Sequence, residues 1–478
     1  MKENNFDIIV IGAGSAGLSV GMTMNTLGFK VLMIAKTDED IGGECLNDGC
    51  VPSKALIHVA KILRHAKTAE AFGLKLSGKA DLRKAMEYVT QRQEIIRKHE
   101  NAVVLRKQGI GIALGEAKFT GKNEVTVKNT KYKAKNIVIA TGSKPRKLNV
   151  PGVENINYYT NSSIFSIQNL PQNLLVIGGG PIGIELAQAF NSFGTKVTVV
   201  QQGNKILEHD DEYVTSVLLE QLKQEGIEFM LNADVERFTS SDKANIKFKK
   251  GESRVVIFDA VFVGIGRELP LDALQLQNAG INTKDGKIIT DKYLRTTNKK
   301  VYVCGDVAGD LMFSHAAEFH ARILVNNFLS PFKKKLNNDT MSWVTFTDPE
   351  LATFGLNEKQ LQERGIPYQK LEQEFNADDR AITDQYQYAR MILYISKGNF
   401  LKKEKILGGT MIAPNAGEII QELILANTAG LSIRKIFNKI YPYPVASRIN
   451  QQLIVKHKQK IISPRLKKLV QIAYKIFS

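Results

Sequence analysis

A chain of 478 residues, 43% hydrophobic and 24% charged, describes an ordinary soluble globular protein with length for about three domains, each with its own core. Three cysteines are too few for a disulfide framework, which favours a reducing compartment and a cytoplasmic location, and no apolar run reaches the roughly 18 residues needed to span a bilayer. The net charge of +17 is unusual, and its location matters more than its size.

Residues 1–7 run straight into a strand, so no signal peptide is expected. Asp7-Ile8-Ile9-Val10-Ile11 reads as a buried parallel strand, and Gly12-Ala13-Gly14-Ser15-Ala16-Gly17 then opens a helix. This is the dinucleotide fingerprint in its strand–turn–helix context. Gly12 makes the tight turn, Gly14 lets backbone approach a pyrophosphate, and Gly17 allows close helix–strand packing. The second strand, Lys30-Val31-Leu32-Met33-Ile34, ends in Ala35-Lys36 where the motif calls for an acid on the ribose hydroxyls. Asp38, Glu39, Asp40 or water are the candidates to replace it.

Next comes Gly42-Gly43-Glu44-Cys45-Leu46-Asn47-Asp48-Gly49-Cys50-Val51-Pro52-Ser53-Lys54, which holds two of the three cysteines. Pro52 suits the first turn of a helix, which puts the pair near a helix N-terminus, where free N–H groups and the dipole favour a thiolate. A redox-active disulfide, a metal site and two buried thiols are the three readings. No other Cys lies nearby to complete a four-ligand metal site, and the pair alone does not exclude two buried thiols; embedded in this string, the redox-active disulfide is favoured.

Helical patterns follow at about 53–70 and 81–108, then short strands to about Val127 and an apolar strand over 135–140 ending in Thr141-Gly142-Ser143-Lys144-Pro145. A second fingerprint, Gly178-Gly179-Gly180-Pro181-Ile182-Gly183, follows Leu174-Leu175-Val176-Ile177, and two dinucleotide sites imply two cofactors. The strand Lys196–Val200 ends in Gln201-Gln202. An acid there would select NADH and arginines a 2′-phosphate; Gln201 does neither, and Lys205 is nearby, so both nucleotides stay open.

The cysteine string is close to GGxCxxxxCxPSK and resembles the active-site signature of the class I pyridine nucleotide–disulfide oxidoreductases, the flavoprotein family of lipoamide dehydrogenase, glutathione reductase and mercuric reductase. The resemblance runs from Phe6 to about Ser447 with its landmarks in family order. It implies an α/β fold with two Rossmann-like domains, for FAD (1–148 and 270–335) and NAD(P) (149–269), and an α+β dimerisation domain (336–455). It further implies that electrons pass from NADH or NADPH through FAD to a Cys45–Cys50 disulfide. Cys50 is then the thiolate beside the flavin and Cys45 the thiol that exchanges with substrate. Glu185 pairs with Lys54 near the flavin. Gly43, the Thr141-Gly142 turn, Gly266 in the turn back, Asp306 of Cys304-Gly305-Asp306, and Ala317 in the helix opened by His315 contact the cofactors. Pro181 stands where some relatives have a tyrosine gate, and Cys304 reads as a small buried residue.

The family's dimer delivers a catalytic His, supported by Glu, from a motif like HPTxSE. The aligned stretch here is Tyr441-Pro442-Tyr443-Pro444-Val445-Ala446-Ser447-Arg448, with Tyr443 for the histidine and Arg448 for the glutamate. Tyr443 is either catalytic or a packing residue at the dimer seam. A tyrosine is a poor proton shuttle at pH 7, which puts exchange with a dithiol or with glutathione disulfide in doubt.

No acidic residue follows Glu422, while eleven Lys and Arg do. In the basic amphipathic extension 456–478, Pro464 opens a segment with Leu466, Leu469, Val470, Ala473 and Phe477 on one helical face. It suits either an anionic membrane surface, with the protein peripheral on its inner face, or docking on its own dimer. No recognised nucleic-acid module supports nucleic acid as a third partner. The reading is a homodimeric FAD-dependent NAD(P)H oxidoreductase with an unidentified acceptor: a small molecule or a metal ion. Beside it stand a mercuric-reductase-like metal reductase, without that enzyme's extra cysteines, a dihydrolipoamide dehydrogenase-like dithiol oxidoreductase, and a redox-inert flavoprotein serving as a membrane or partner module.

Overall fold

The structure, a computed structural model, describes residues 5–398, 403–460 and 462–477, so the part of the N-terminal expectation that falls on residues 1–4 lies outside the described residues, as do 461 and 478 of the basic extension. Residues 1–206 with 225–337 form one compact unit, and 207–224 with 338–478 a second.

In the first unit, Asn5–Ile11 is the middle of a parallel sheet, with Ile8 opposite Val31 on one side and Asn136 on the other. Gly111–Leu114 and Val301–Val303 extend the parallel set, and Lys118–Gly121 and Glu124–Val127 add an antiparallel margin. Every residue of Val31–Ala35 is buried, as expected where a parallel strand has both faces covered. The helices Ser15–Thr26 and Ser314–Leu329 pack together. A second sheet is built around Asn173–Ile177, with Lys196–Gln201 and Glu228–Leu231 on one side and Ala260–Val263 and Tyr158–Tyr159 on the other, all parallel. The chain leaves and re-enters the first sheet's neighbourhood through Lys144–Pro145 and Arg267–Glu268, which pair antiparallel.

The helix expected over 81–108 is two helices, Leu82–Arg97 and Ala102–Lys107. Asn101 restarts the chain as an N-cap, its side chain accepting from Val104 N at 2.9 Å. Asp38 Oδ1 accepts from Ala102 N at 2.6 Å, so a carboxylate 64 residues away reinforces the break.

The second unit is an antiparallel sheet in the order Ser342–Thr345, Glu350–Gly355, Ile406–Ala413, Arg390–Ser396, Tyr368–Glu374. Two short helices, Ala416–Ile419 and Gln421–Thr428, follow the strand Ile406–Ala413. Asp210, nearly fully buried, accepts from Trp343 Nε1 at 2.9 Å and Thr353 Oγ1 at 2.6 Å, which ties the segment before helix Glu212–Gln224 to this sheet. The unit ends in helix Pro464–Phe477, none of whose residues is buried.

Candidate active site

Cys50 is the first residue of helix Cys50–Thr68, and Cys45 lies in the short helix Gly43–Asn47 just before it. The double glycine makes this approach possible. Gly42 and Gly43 have φ of 92° and 62°, and a Cβ on Gly43 would lie 2.5 Å from Gly14 Cα. Gly42 N also donates to Ala13 O at 2.9 Å, so the thiol loop is laid directly over the first fingerprint.

Both cysteines are thiols in this structure. Cys45 donates a hydrogen bond to Cys50, and this pushes the Cys45 thiol far up while pulling Cys50 down to about 6. Ser314, at 3.4 Å from Cys50 Sγ, and the charge of Lys54 pull Cys50 further in the same direction. Three helices begin at this point. Ser15, Cys50 and Ser314 are each the first residue of their helix, and Ser15 also bonds Cys45. No side chain caps any of these three starts, so their N–H dipoles favour negative charge at the pair. Sequence reasoning missed Ser314; the hydroxyl residue directly before His315-Ala316-Ala317 was the available signal. His315 stacks on Phe313, with ring centroids 5.2 Å apart.

Lys54 Nζ lies 2.8 Å from Glu185 Oε2, and Glu185 is only 4% exposed. One glutamate of the second fingerprint helix and the lysine of the thiol helix thus form one ion pair. Glu44, next to Cys45, is held by Arg267 through a forked pair that includes a 2.7 Å bond, and by Asn161 Nδ2 at 2.7 Å. Burial still pushes the Glu44 carboxyl up against the pull of Arg267. Arg267 Nε also donates to Ser143 Oγ at 2.6 Å, and that hydroxyl donates to Asp306 Oδ2 at 2.6 Å. This chain pins the thiol loop to both connecting turns. It lay beyond the sequence reading because each of its hydrogen bonds joins residues more than 100 positions apart.

The residues present fit FAD at the first fingerprint. A Cβ on Gly12 would strike Ala140 O, and one on Gly17 would strike Gly12 O, so these two glycines are steric requirements of the turn. Gly14 precedes a helix of 12 residues with no side-chain cap. Thr141 Oγ1 is buried without a protein partner beside Gly142, where a Cβ would meet open space. Asp306 stands at the end of Val301–Val303, and Ala317 packs against Gly305. Gly266 has φ of 107° with open space around it. Of the acids weighed at the ribose end, Asp38 is turned to Ala102 N, Asp40 accepts from Thr37 N at 3.0 Å, and Glu39 is drawn into the same turn by Thr37.

At the second fingerprint, Gly178 and Gly183 repeat the steric pattern against Gly264 O and Gly178 O, and Gly180 faces open space. Gln201 Oε1 accepts from Gly179 N at 2.7 Å, so this side chain holds the loop as well as marking the end of its strand. Pro181 is the first residue of helix Pro181–Ser192. Cys304 is fully buried and its thiol is pushed up by that burial.

Tyr443 is 67% exposed in the second unit. Its hydroxyl donates to Asp379 Oδ2 at 3.1 Å, and this bond raises the phenol above its usual range. The Arg448 guanidinium lies 5.3 Å from the ring centroid.

Residues 6–321 match the family model described as pyridine nucleotide-disulphide oxidoreductase, and residues 341–453 match that family's dimerisation domain. The chain belongs to the pyridine nucleotide-disulphide oxidoreductase family. It is an FAD- and NAD(P)H-dependent flavin disulfide oxidoreductase of class I that forms a homodimer through its C-terminal domain, which sets aside the redox-inert reading. The chain is 30% identical to mercuric reductase of Staphylococcus aureus over 446 residues, 92% of this chain and 80% of that protein. It is 32% identical to dihydrolipoyl dehydrogenase of Mycoplasma pneumoniae over 458 residues, 93% of this chain and 97% of the other. Among solved structures, the Cu(II) complex of the HOCl-induced flavoprotein disulfide reductase RclA from Escherichia coli superposes with a TM-score of 0.82 at 25% identity, covering 94% of this chain and 99% of that one. Among the described residues no helix is long and apolar enough to cross a membrane.

Proposed function

We propose that this oxidoreductase works in the cytoplasm and reduces a thiol-binding metal ion at Cys45 and Cys50, with NADH or NADPH as electron source. The observation that carries this reading is the state of Tyr443. Its hydroxyl donates to Asp379, which raises the phenol and makes it a weaker proton donor, and Arg448 beside it is no acid near neutrality. An organic disulfide needs a proton for its departing thiolate, and a histidine would supply it. A metal ion needs none.

The thiol pair suits such an ion. Thiolates favour soft ions, and among the described residues no group of three or more His, Cys, Asp or Glu forms a resident metal site that would compete. With both thiols ionised on the metal, 2 RS⁻ + M²⁺ gives RS–SR + M⁰, or with a one-electron ion 2 RS⁻ + 2 M²⁺ gives RS–SR + 2 M⁺. The same ion class appears in the names of the mercuric reductases and of the Cu(II) complex of RclA.

Gly12, Gly14, Gly17, Gly43, Thr141, Gly142, Gly266, Asp306 and Ala317 would hold FAD, and Gly178, Gly180, Gly183 and Gln201 the nicotinamide nucleotide. Bound FAD supplies the relay of two electrons from NAD(P)H to the disulfide. Lys54, ion-paired with Glu185, favours the Cys50 thiolate, and Cys45 keeps the proton until substrate arrives.

The likeness to dihydrolipoyl dehydrogenases favours a second reading, dithiol oxidation. Anaerobic assays with cupric or mercuric ion, lipoamide and glutathione disulfide separate the two. Metal-dependent NAD(P)H oxidation that disappears in Cys45→Ser is the expected result. Turnover with lipoamide at hundreds per second, high in the range for enzymes, would overturn the metal reading.

A further inference from the structure

Helix Pro464–Phe477 is built from local signals. Ser463 Oγ accepts from Leu466 N at 3.2 Å, Ser463 O accepts from Lys467 N at 3.0 Å, and Pro464 takes the first helical position. Among the described residues of the unit, none buries its apolar side: Leu469 is 63% exposed, Ile476 70% and Phe477 87%. At 3.6 residues per turn, Leu466, Leu469, Val470, Ala473, Ile476 and Phe477 fall within an arc of about 120°, and Lys467, Lys468 and Lys475 fall on the opposite side. Its length of about 21 Å is too short to cross a bilayer.

The occupant of that face must meet an apolar arc bordered by cations. The dimerisation-domain match ends at residue 453, before this helix begins, so the family interface does not account for it. A second copy of the chain is a poor cover. It brings another +17 and the same stretch, in which eleven Lys and Arg and no acid follow Glu422. A nucleic acid would satisfy the lysines and leave the leucine and phenylalanine side chains in water. An anionic bilayer meets both halves, with acyl boundary under the arc and headgroup charge beside the lysines. We propose that Pro464–Phe477 lies flat in the surface of an anionic bilayer and makes this oxidoreductase a peripheral membrane enzyme. The homodimer carries two such helices, so attachment is bivalent.

The test is co-sedimentation of the full-length, FAD-loaded dimer with vesicles of phosphatidylcholine alone or with about one-third phosphatidylglycerol. Binding at least about tenfold stronger to the anionic vesicles is expected, with release as salt rises from about 0.1 M to about 1 M and the screening length falls from about 10 Å to about 3 Å. Leu469→Gln with Phe477→Gln keeps every lysine and should lower vesicle binding at least about tenfold, with flavin content unchanged. Vesicle binding that survives this double variant overturns the proposal. So does binding to duplex DNA that survives it while vesicles fail to bind, which would make the lysines a nucleic-acid contact. Deletion of residues 463–478 gives the remaining outcome: loss of dimer mass, without vesicle binding by the full chain, would assign the helix to a second copy.

Discussion

The two fingerprint turns are the same device built twice. Gly12 and Gly178 have φ of 108° and 110°, and each would strike the carbonyl that ends its neighbouring strand if it carried a Cβ. Gly17 and Gly183 each close on the carbonyl of the turn glycine. The difference lies in what sits on top. A Cβ on Gly14 would meet Gly43 of the thiol loop at 3.4 Å, whereas Gly180 has nothing within 4 Å. The first turn is roofed by the chain and suits a ligand that stays; the second is open and suits one that comes and goes.

The harshest way to break this comparison is Gly12→Val against Gly178→Val. The first should yield protein without FAD, read from its visible absorbance. The second should keep FAD but be reduced by NAD(P)H about a thousandfold more slowly, a loss of about 4 kcal/mol in stopped flow. Loss of FAD from both would make the turns equivalent in use as well as in shape.

The ion pair joining the thiol helix to the second fingerprint helix comes next. Lys54→Met leaves the 4%-exposed Glu185 without this cation and should cost about 3–5 kcal/mol in denaturant unfolding. Lys54→Met with Glu185→Leu should recover much of that loss, since removing both charges removes the desolvation cost. A double variant no more stable than the single one would mean that the pair does not hold the two helices.

The thiols over the first turn allow a gentler test. With Cys50 pulled down to about 6 and Cys45 pushed up, the reduced enzyme should be alkylated by iodoacetamide at Cys50 first, slowly below pH 6 and at a plateau above pH 7. Cys45→Ala removes the largest cause of the shift, so the rise should move to higher pH and cut the rate at pH 7 several-fold, to be followed by peptide mass spectrometry. Smallest of all, Gln201→Glu keeps an acceptor for Gly179 N–H and adds a carboxylate that repels a 2′-phosphate. The ratio of kcat/KM for NADH over NADPH should rise several-fold.

What the chain revealed in advance was local. Each fingerprint, the Cys45–Cys50 spacing and the start at Pro464 are encoded within a dozen residues, because turn sterics and helix starts depend on immediate neighbours. The Lys54–Glu185 pair was also within reach, since each member belongs to a recognisable motif. What stayed hidden was long-range: Arg267 gathering Glu44, Ser143 and Asp306, and Asp38 leaving the ribose end to cap Ala102. Such pairings carry no periodicity and no spacing rule. The helix drawn over 81–108 breaks on one local signal, the N-cap at Asn101, and on one hidden one, the Asp38 carboxylate that reinforces it from 64 residues earlier.

The hydrogen bond between the two thiols has a consequence for survival under oxidative attack. A cysteine that is largely thiolate at neutral pH is the first to meet peroxide or hypochlorous acid, and its sulfenic acid is one step from irreversible loss. Here the partner is already in place: Cys50–SOH and Cys45–SH condense to the disulfide and water, and NAD(P)H returns the pair to dithiol. Peroxide should therefore leave wild-type enzyme as the disulfide, whereas in Cys45→Ala the sulfinic acid should accumulate on Cys50, visible as a gain of two oxygens by mass.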